Sequence, residues 1–157
     1  MPAIVTTREH IIDMQLVDIA YRLAPRGDMQ RKTNTMVTRV AGVEDDAKRR
    51  AGKRQVTVLS IEQWHQACAE LGTDLPWTIR RANLLVQGLM FGPQHVGQQL
   101  IIGALHLLIT AQTDPCPKMD AQYQGLTQAL VPNWRGGVCC LVLSDGRIHL
   151  GDRVTLK

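Results

Sequence analysis

Cys116 stands between two prolines in the stretch TDPCPKMD, residues 113–120. Pro115 and Pro117 each fix φ near about −65°, Pro117 pushes Cys116 toward an extended conformation, and neither proline donates a backbone hydrogen bond. A strand that reaches this stretch must end there. A thiol at such an end stands at the rim of a sheet or barrel, a common place for a ligand site. Ionised, it is both a nucleophile and a soft metal ligand. Lys118 and, if the fold brings them together, Arg80, Arg81 and Arg135 would favour the thiolate and attract an anion. Asn83 adds an amide suited to a phosphate or a polar heterocycle. Each has a plainer alternative: a stiff turn carrying an ordinary cysteine, and a solvated basic turn leading into NLLVQGL.

Other chemistries find less in the chain. The five histidines, at 10, 65, 95, 106 and 149, form no H-E-x-x-H pair, so a histidine-based zinc site is not expected. Cys139 and Cys140 are neighbours in a predicted strand and point to opposite faces, so they cannot chelate one ion together. Cys68 falls on the apolar face of a predicted helix and packs as a small hydrophobe. Neither G-x-x-x-x-G-K-[ST] nor G-x-G-x-x-G occurs, and RGGVCC leads into a strand where a phosphate loop needs a helix. The only serines, Ser60 and Ser144, read as a helix cap and a turn residue, which argues against a serine hydrolase.

The elements that must position Cys116 are mostly strands. QVTVL, residues 55–59, alternates and is β-branched, and it feeds a helix capped by Ser60 with Gln63 completing an S-x-x-Q box. Ile61, Trp64, Ala67, Cys68 and Leu71 line one face of that helix until Gly72 stops it. From Asn83 onward come NLLVQGL, QQLII, LHLLITAQT, GVCCLVL, RIHL and RVTL. Gly103-Ala104 and Ser144-Asp145-Gly146 are short enough to be hairpin turns, which favours an antiparallel sheet, and closure into a barrel would remove its exposed edges. A second helix is predicted over 120–130, ended by Pro132. TMVTRV is a strand candidate and AGVEDDAKRRAGKR an exposed loop. Residues 13–23 are ambiguous: Ile12, Leu16, Ile19 and Leu23 have helical spacing, whereas Ile19, Tyr21 and Leu23 alternate.

With 157 residues, 45% apolar and 20% charged, the chain is expected to be one globular domain over 1–157, and no stretch approaches the roughly 18 apolar residues of a membrane span. The N-terminal MPAIVTTREHIIDMQ lacks the order of a signal peptide, so a cytoplasmic location with free thiols is expected. The net charge of +4 gathers in Lys48, Arg49, Arg50, Lys53 and Arg54 and around Arg80 and Arg81. That charge suits an anionic partner. With three tryptophans, two tyrosines and one phenylalanine, and no aromatic pair beside a basic stripe, nucleic acid is not favoured; a small phosphorylated ligand fits as well.

The order RRANLLVQGL, a Gly-bounded hairpin, a strand ending in PC, then RGGVCCLVLSDGRIHLGDRV resembles the MOSC family, the domain at the C-terminus of molybdenum cofactor sulfurases. The match runs over residues 80–157, and KRQVTVLSIEQW extends it upstream to about residue 53. The resemblance implies a mainly β, barrel-like fold with a few short helices. It implies molybdenum cofactor (molybdopterin) binding or sulfur carrying, with Cys116 as the residue that ligates molybdenum or carries sulfur. Arg80, Arg81, Asn83, Lys118 and Arg135 would be cofactor-binding. It further implies reduction of N-hydroxylated compounds using an external electron or sulfur donor, and pyridoxal phosphate binding of the kind associated with the sulfurases. The loop EDDAKRR keeps Asp46 but lacks the glycine and histidine found there in many relatives. The competing expectation is a non-catalytic binding module that recognises an anionic partner through this basic loop.

Overall fold

The computed structural model describes residues 13–47 and 52–157. Eleven strands run in chain order as β1 (Gln15–Tyr21), β2 (Gln30–Lys32), β3 (Asn34–Thr38), β4 (Gly42–Val43), β5 (Val56–Ser60), β6 (Leu84–Gln87), β7 (Gln99–Ile102), β8 (Leu105–Gln112), β9 (Val138–Ser144), β10 (Gly146–His149) and β11 (Val154–Leu156) among the described residues. Among the described residues three helices interrupt them: α1 (Ile61–Leu71), α2 (Met119–Gln122) and α3 (Leu126–Leu130). The large sheet has eight strands in the order β11-β7-β8-β9-β5-β6-β1-β2, and β10-β3-β4 form a small one.

Side-chain alternation along the large sheet builds two cores. Val56 and Val58, with Leu84 and Val86, join Val37 and Ile148 of the small sheet in one cluster. Leu59 and Leu85 point the other way, against Trp64, Cys68, Leu126 and Leu130 of the helices. The ambiguity in β1 has a physical cause. A register shift between Leu16 and Asp18 inserts a residue, so Leu16 and Ile19, three apart, face the same core. A bulged strand thereby acquires helical spacing.

Several expected features stand. Ile102 pairs with Leu105 across Gly103-Ala104, as a hairpin requires. Ser60 caps α1, its Oγ accepting from the Gln63 N–H at 3.2 Å, and Gly72 ends it at φ 68°. Others are corrected. The Gln63 side chain does not return to the cap but turns inward, donating to the carbonyls of Phe91 at 2.9 Å and Asn133 at 2.7 Å. The sheet is not wholly antiparallel: β5 and β6 pair in parallel, since α1 carries the chain across between them. β10 leaves β9 to pair with β3, because Asp145 Oδ1 accepts from Arg39 N–H at 2.7 Å and ties the turn to the small sheet. The helix expected over 120–130 splits into α2 and α3, where Tyr123 is extended and Gly125 has φ 90°. The sheet is not a closed barrel. β11 and β2 end its order, and only an isolated Gln15–Arg153 bridge draws the start of β1 toward the entry to β11. β11 is too short and follows too closely on the 149–152 turn to extend that bridge into a ladder. The exposed loop predicted over 41–54 contains β4 and a buried Asp46, and its Lys48, Arg49 and Arg50 lie outside the described residues.

Candidate functional site

The exit of β8 and the turn before β6 meet at one arginine. Arg80 closes a 3₁₀ turn over Trp77–Arg80 and is buried. Its Nε donates to the carbonyl of Gly136 at 3.1 Å and its Nη2 to that of Thr113 at 3.1 Å. Its Nη1 rests 3.7 Å from Met119 Sδ, a weak acceptor. Burial lowers the pKa of this guanidinium from its ordinary value, and the negative charges of Cys116 and Cys139, when ionised, act in the opposite direction. Gly136 has no room for a side chain, since a Cβ would lie 2.5 Å from the Thr113 carbonyl and 3.2 Å from Arg80 Nη2.

Arg81 follows in the left-handed region at φ 65°, uncommon for a residue with a long side chain. Its Nη2 donates to the carbonyl of Gly27 at 2.6 Å. Burial lowers its pKa, the nearby Arg22 lowers it further, and Asp28 and Asp46 oppose both. Arg80 and Arg81 line a cleft of about 200 Å³ with Arg22 and Arg54; Asp114 is the acid in its wall. A larger hollow of about 680 Å³, bounded by Val40, Leu141 and Leu143, lies elsewhere on the surface and holds none of the candidate residues.

Cys116 is exposed and lies in the chain between two cleft residues, Asp114 and Met119. Its carbonyl is anchored twice, accepting from Met119 N–H at 2.9 Å and from Thr127 Oγ1 at 3.0 Å. The prolines and these two bonds fix the backbone that presents the sulfur. The remaining cysteines are buried. Cys139 Sγ lies 3.1 Å from Thr113 Oγ1, and burial pushes the Cys140 thiol well above its ordinary range. Among the described residues, no three His, Cys, Asp or Glu side chains gather as a metal site.

Cys116 is not itself among the residues that line the cleft, and neither are the other three candidates. Asn83 is buried between strands, its Oδ1 accepting from the Thr57 N–H at 3.2 Å and its Nδ2 donating to Ala20 O at 3.3 Å. Arg135 is buried, ion-paired with Glu70, and donates to Ala129 O at 3.1 Å. Lys118 is exposed at the start of α2. Sequence reasoning missed Arg22 altogether and counted Arg54 only within a basic loop. No local signal marks either, because β1 and the entry to β5 reach the cleft only through the sheet order.

A mainly β chain with one crossover helix, an arginine cleft and a fixed thiol beside it defines the class. A model of the MOSC domain matches residues 25–155, and the chain belongs to the MOSC domain family. The fold is similar to that of the YUAD protein from Bacillus subtilis, with TM-score 0.76 and 16% identity, covering 92% of this chain and 96% of that one. It is also similar to YiiM from Geobacillus stearothermophilus, with TM-score 0.73 and 18% identity over 92% of this chain and 75% of that one. YiiM from Escherichia coli aligns with TM-score 0.67 and 15% identity over 91% and 69%. No curated protein sequence matches the chain. Among the described residues, no helix is long and apolar enough to cross a membrane.

Proposed function

We propose that the arginine cleft and Cys116 form a site for molybdenum cofactor, or for sulfur destined for it. The MOSC family is associated with molybdenum cofactor binding. The observation that carries the reading is the position of Cys116, an exposed thiol anchored through its backbone carbonyl on the segment between the cleft residues Asp114 and Met119. The donor set fits the group. A soft thiolate suits molybdenum, and guanidinium groups suit the phosphate of a pterin.

In this reading Cys116 holds the metal, while Arg80 and Arg81 supply positive charge to the cleft and fix its walls. When bound, the molybdenum centre supplies two-electron exchange of an oxygen atom, as reduction of an N-hydroxylated compound needs, with electrons from a separate donor. In the sulfur branch the Cys116 thiolate attacks the outer sulfur of a donor persulfide. A Cys116 persulfide forms, the donor's sulfur–sulfur bond breaks, and the donor leaves as its thiolate. Pyridoxal phosphate is not part of the reading, since among the described residues the cleft lining includes no lysine for a Schiff base. Arg54, the described end of the basic loop, opens onto the same cleft.

The test is protein made in a host that synthesises the cofactor. Wild type is expected to carry molybdenum and pterin, and Cys116→Ala to lose the metal. Equal, negligible amounts in both would overturn ligation, and a persulfide assay on the same pair then decides the sulfur branch.

A further inference from the structure

The large sheet leaves one flank of β9 open. β5 pairs with β9 only from Val138 to Cys140, so residues 141–144 run on past the start of β5. Gln55 and the turn between β3 and β4 stand there instead. The Gln55 side chain accepts from the Val142 N–H at 3.2 Å and donates to the Arg39 carbonyl at 2.8 Å. Asp145 Oδ1 accepts from the Arg39 N–H at 2.7 Å, and Thr38 Oγ1 from the Ala41 N–H at 3.0 Å. The turn is therefore fixed on both sides of its tip, and the Val40 at that tip is 82% exposed. Beside it lies the hollow of about 680 Å³ lined by Leu141, Val142 and Leu143, with Arg39 and Asp145 as the charged residues of its wall among the described residues. No side chain of β8 or β9 belongs to the core that the helices cover. We infer that this face joins two copies of the chain about a two-fold axis, with Val40 of each copy seated in the hollow of the other, against Leu141 and Leu143.

Shape and charge both point to a second copy as the occupant. Tight turns ordinarily carry Gly, Asn, Asp or Ser at their tips, and nothing within the chain uses the Val40 side chain. A projecting apolar group on a turn that is already fixed loses little further freedom on binding. The projection and the hollow stand side by side on one face, so a two-fold rotation sets each against its counterpart on the other copy. The wall of the hollow carries one charge of each sign, and among the described residues the Arg39 guanidinium makes no ion pair with Asp145 or any other acid. The same rotation brings Arg39 of each copy toward Asp145 of the other. A partner of uniform charge would meet one like charge here, and an apolar partner would bury both ions without a counter-ion. The inference is independent of the proposed cofactor site, since the arginine cleft and this hollow share no lining residue.

Sedimentation equilibrium of the full chain tests it. Wild type is expected to form a dimer that grows no further with concentration, because a two-fold contact closes on itself. Val40→Asp and Leu143→Asp should each raise the dimer dissociation constant at least about a hundredfold, since each removes a buried apolar side chain and acts twice in a two-fold contact. Arg39→Glu sets a like charge against Asp145 of the other copy and should weaken the dimer about tenfold or more. Val131→Asp places the same new charge on an exposed apolar residue outside this face and should dimerise as wild type does; thermal melts of all four variants check that they fold. A wild-type chain that stays monomeric at about 1 mM overturns the inference and leaves the face to a different partner. A dimer that survives Val40→Asp and Leu143→Asp overturns it as well, because the contact then lies on another surface. Oligomers that keep growing with concentration overturn the two-fold arrangement.

Discussion

At the scale of single residues, side chains equally suggestive in sequence divide by where their polar atoms end. Asn83 and Lys118 both had the chemistry to hold a cofactor. Asn83 instead joins Thr57 to Ala20, with every contact inside the sheet. Asn83→Ala strands the Thr57 N–H and the Ala20 carbonyl and should cost about 1–3 kcal/mol in urea unfolding. Lys118→Ala, on an exposed side chain, should change stability by no more than about 0.5 kcal/mol. Equal effects of the two would contradict this division. Asp120 carries a pH dependence. Hydrogen bonding from the Thr127 N–H holds its carboxyl below the ordinary 3.8. With its folded-state pKa depressed, the stabilisation is present above the unfolded value and is lost as pH falls through the folded one. Thr127 also anchors the Cys116 carbonyl, so the same carboxylate steadies the thiol segment. Wild type and Asp120→Asn should differ in stability at neutral pH and converge in strong acid, as urea melts across that range would show.

At the scale of elements, the sequence was legible where one local cause sufficed. Ser60 and Gly72 mark both ends of α1, Gly103 turns β7 into β8, and the prolines around Cys116 stop β8. It misled where a second cause entered. The bulge in β1 copied helical spacing, Gly125 divided a helix, and the Gln63 amide was drawn inward by Phe91 and Asn133. The Asn133–Gly137 turn shows how an element rather than a residue positions the site. Asn133 and Trp134 both have positive φ, and Gly136 brings its carbonyl to Arg80 while its α-carbon faces Thr113. Gly136→Ala must push this turn away from the exit of β8. An overpacked contact of this kind costs about 1–3 kcal/mol. Molybdenum and pterin content from a cofactor-competent host should fall with it, because Arg80 loses its anchor; a stable variant with wild-type content would show that the turn does not position the cleft.

At the scale of the whole molecule, the cleft depends on pairings that no local pattern announces. Arg22 follows β1, Arg54 precedes β5 and Arg80 precedes β6, and the order β5-β6-β1 gathers them. The same long-range logic leaves the barrel incomplete. Around the Gln15–Arg153 bridge, Leu16 N–H donates to Asp152 O at 2.9 Å, Gly151 N–H to Leu16 O at 2.8 Å, and Val154 N–H to Met14 O at 2.9 Å. These few bonds form a seam between the start of β1 and the entry to β11. The β8–β9 ladder, by contrast, extends from His106–Ser144 to Gln112–Val138 in the middle of the sheet. The seam is held by a few bonds at the margin of the core, whereas parting β8 from β9 breaks a long ladder through its middle, so the two regions should have different opening free energies. Native-state hydrogen exchange separates the cases. The Leu16 and Gly151 amides should exchange at least about tenfold faster than those of Leu108 and Leu141, which pair across β8 and β9, since each 1.4 kcal/mol of opening free energy is a factor of ten. Equal protection at both places would mean that the seam opens only with global unfolding, and that the molecule behaves energetically as a closed barrel despite its broken ladder.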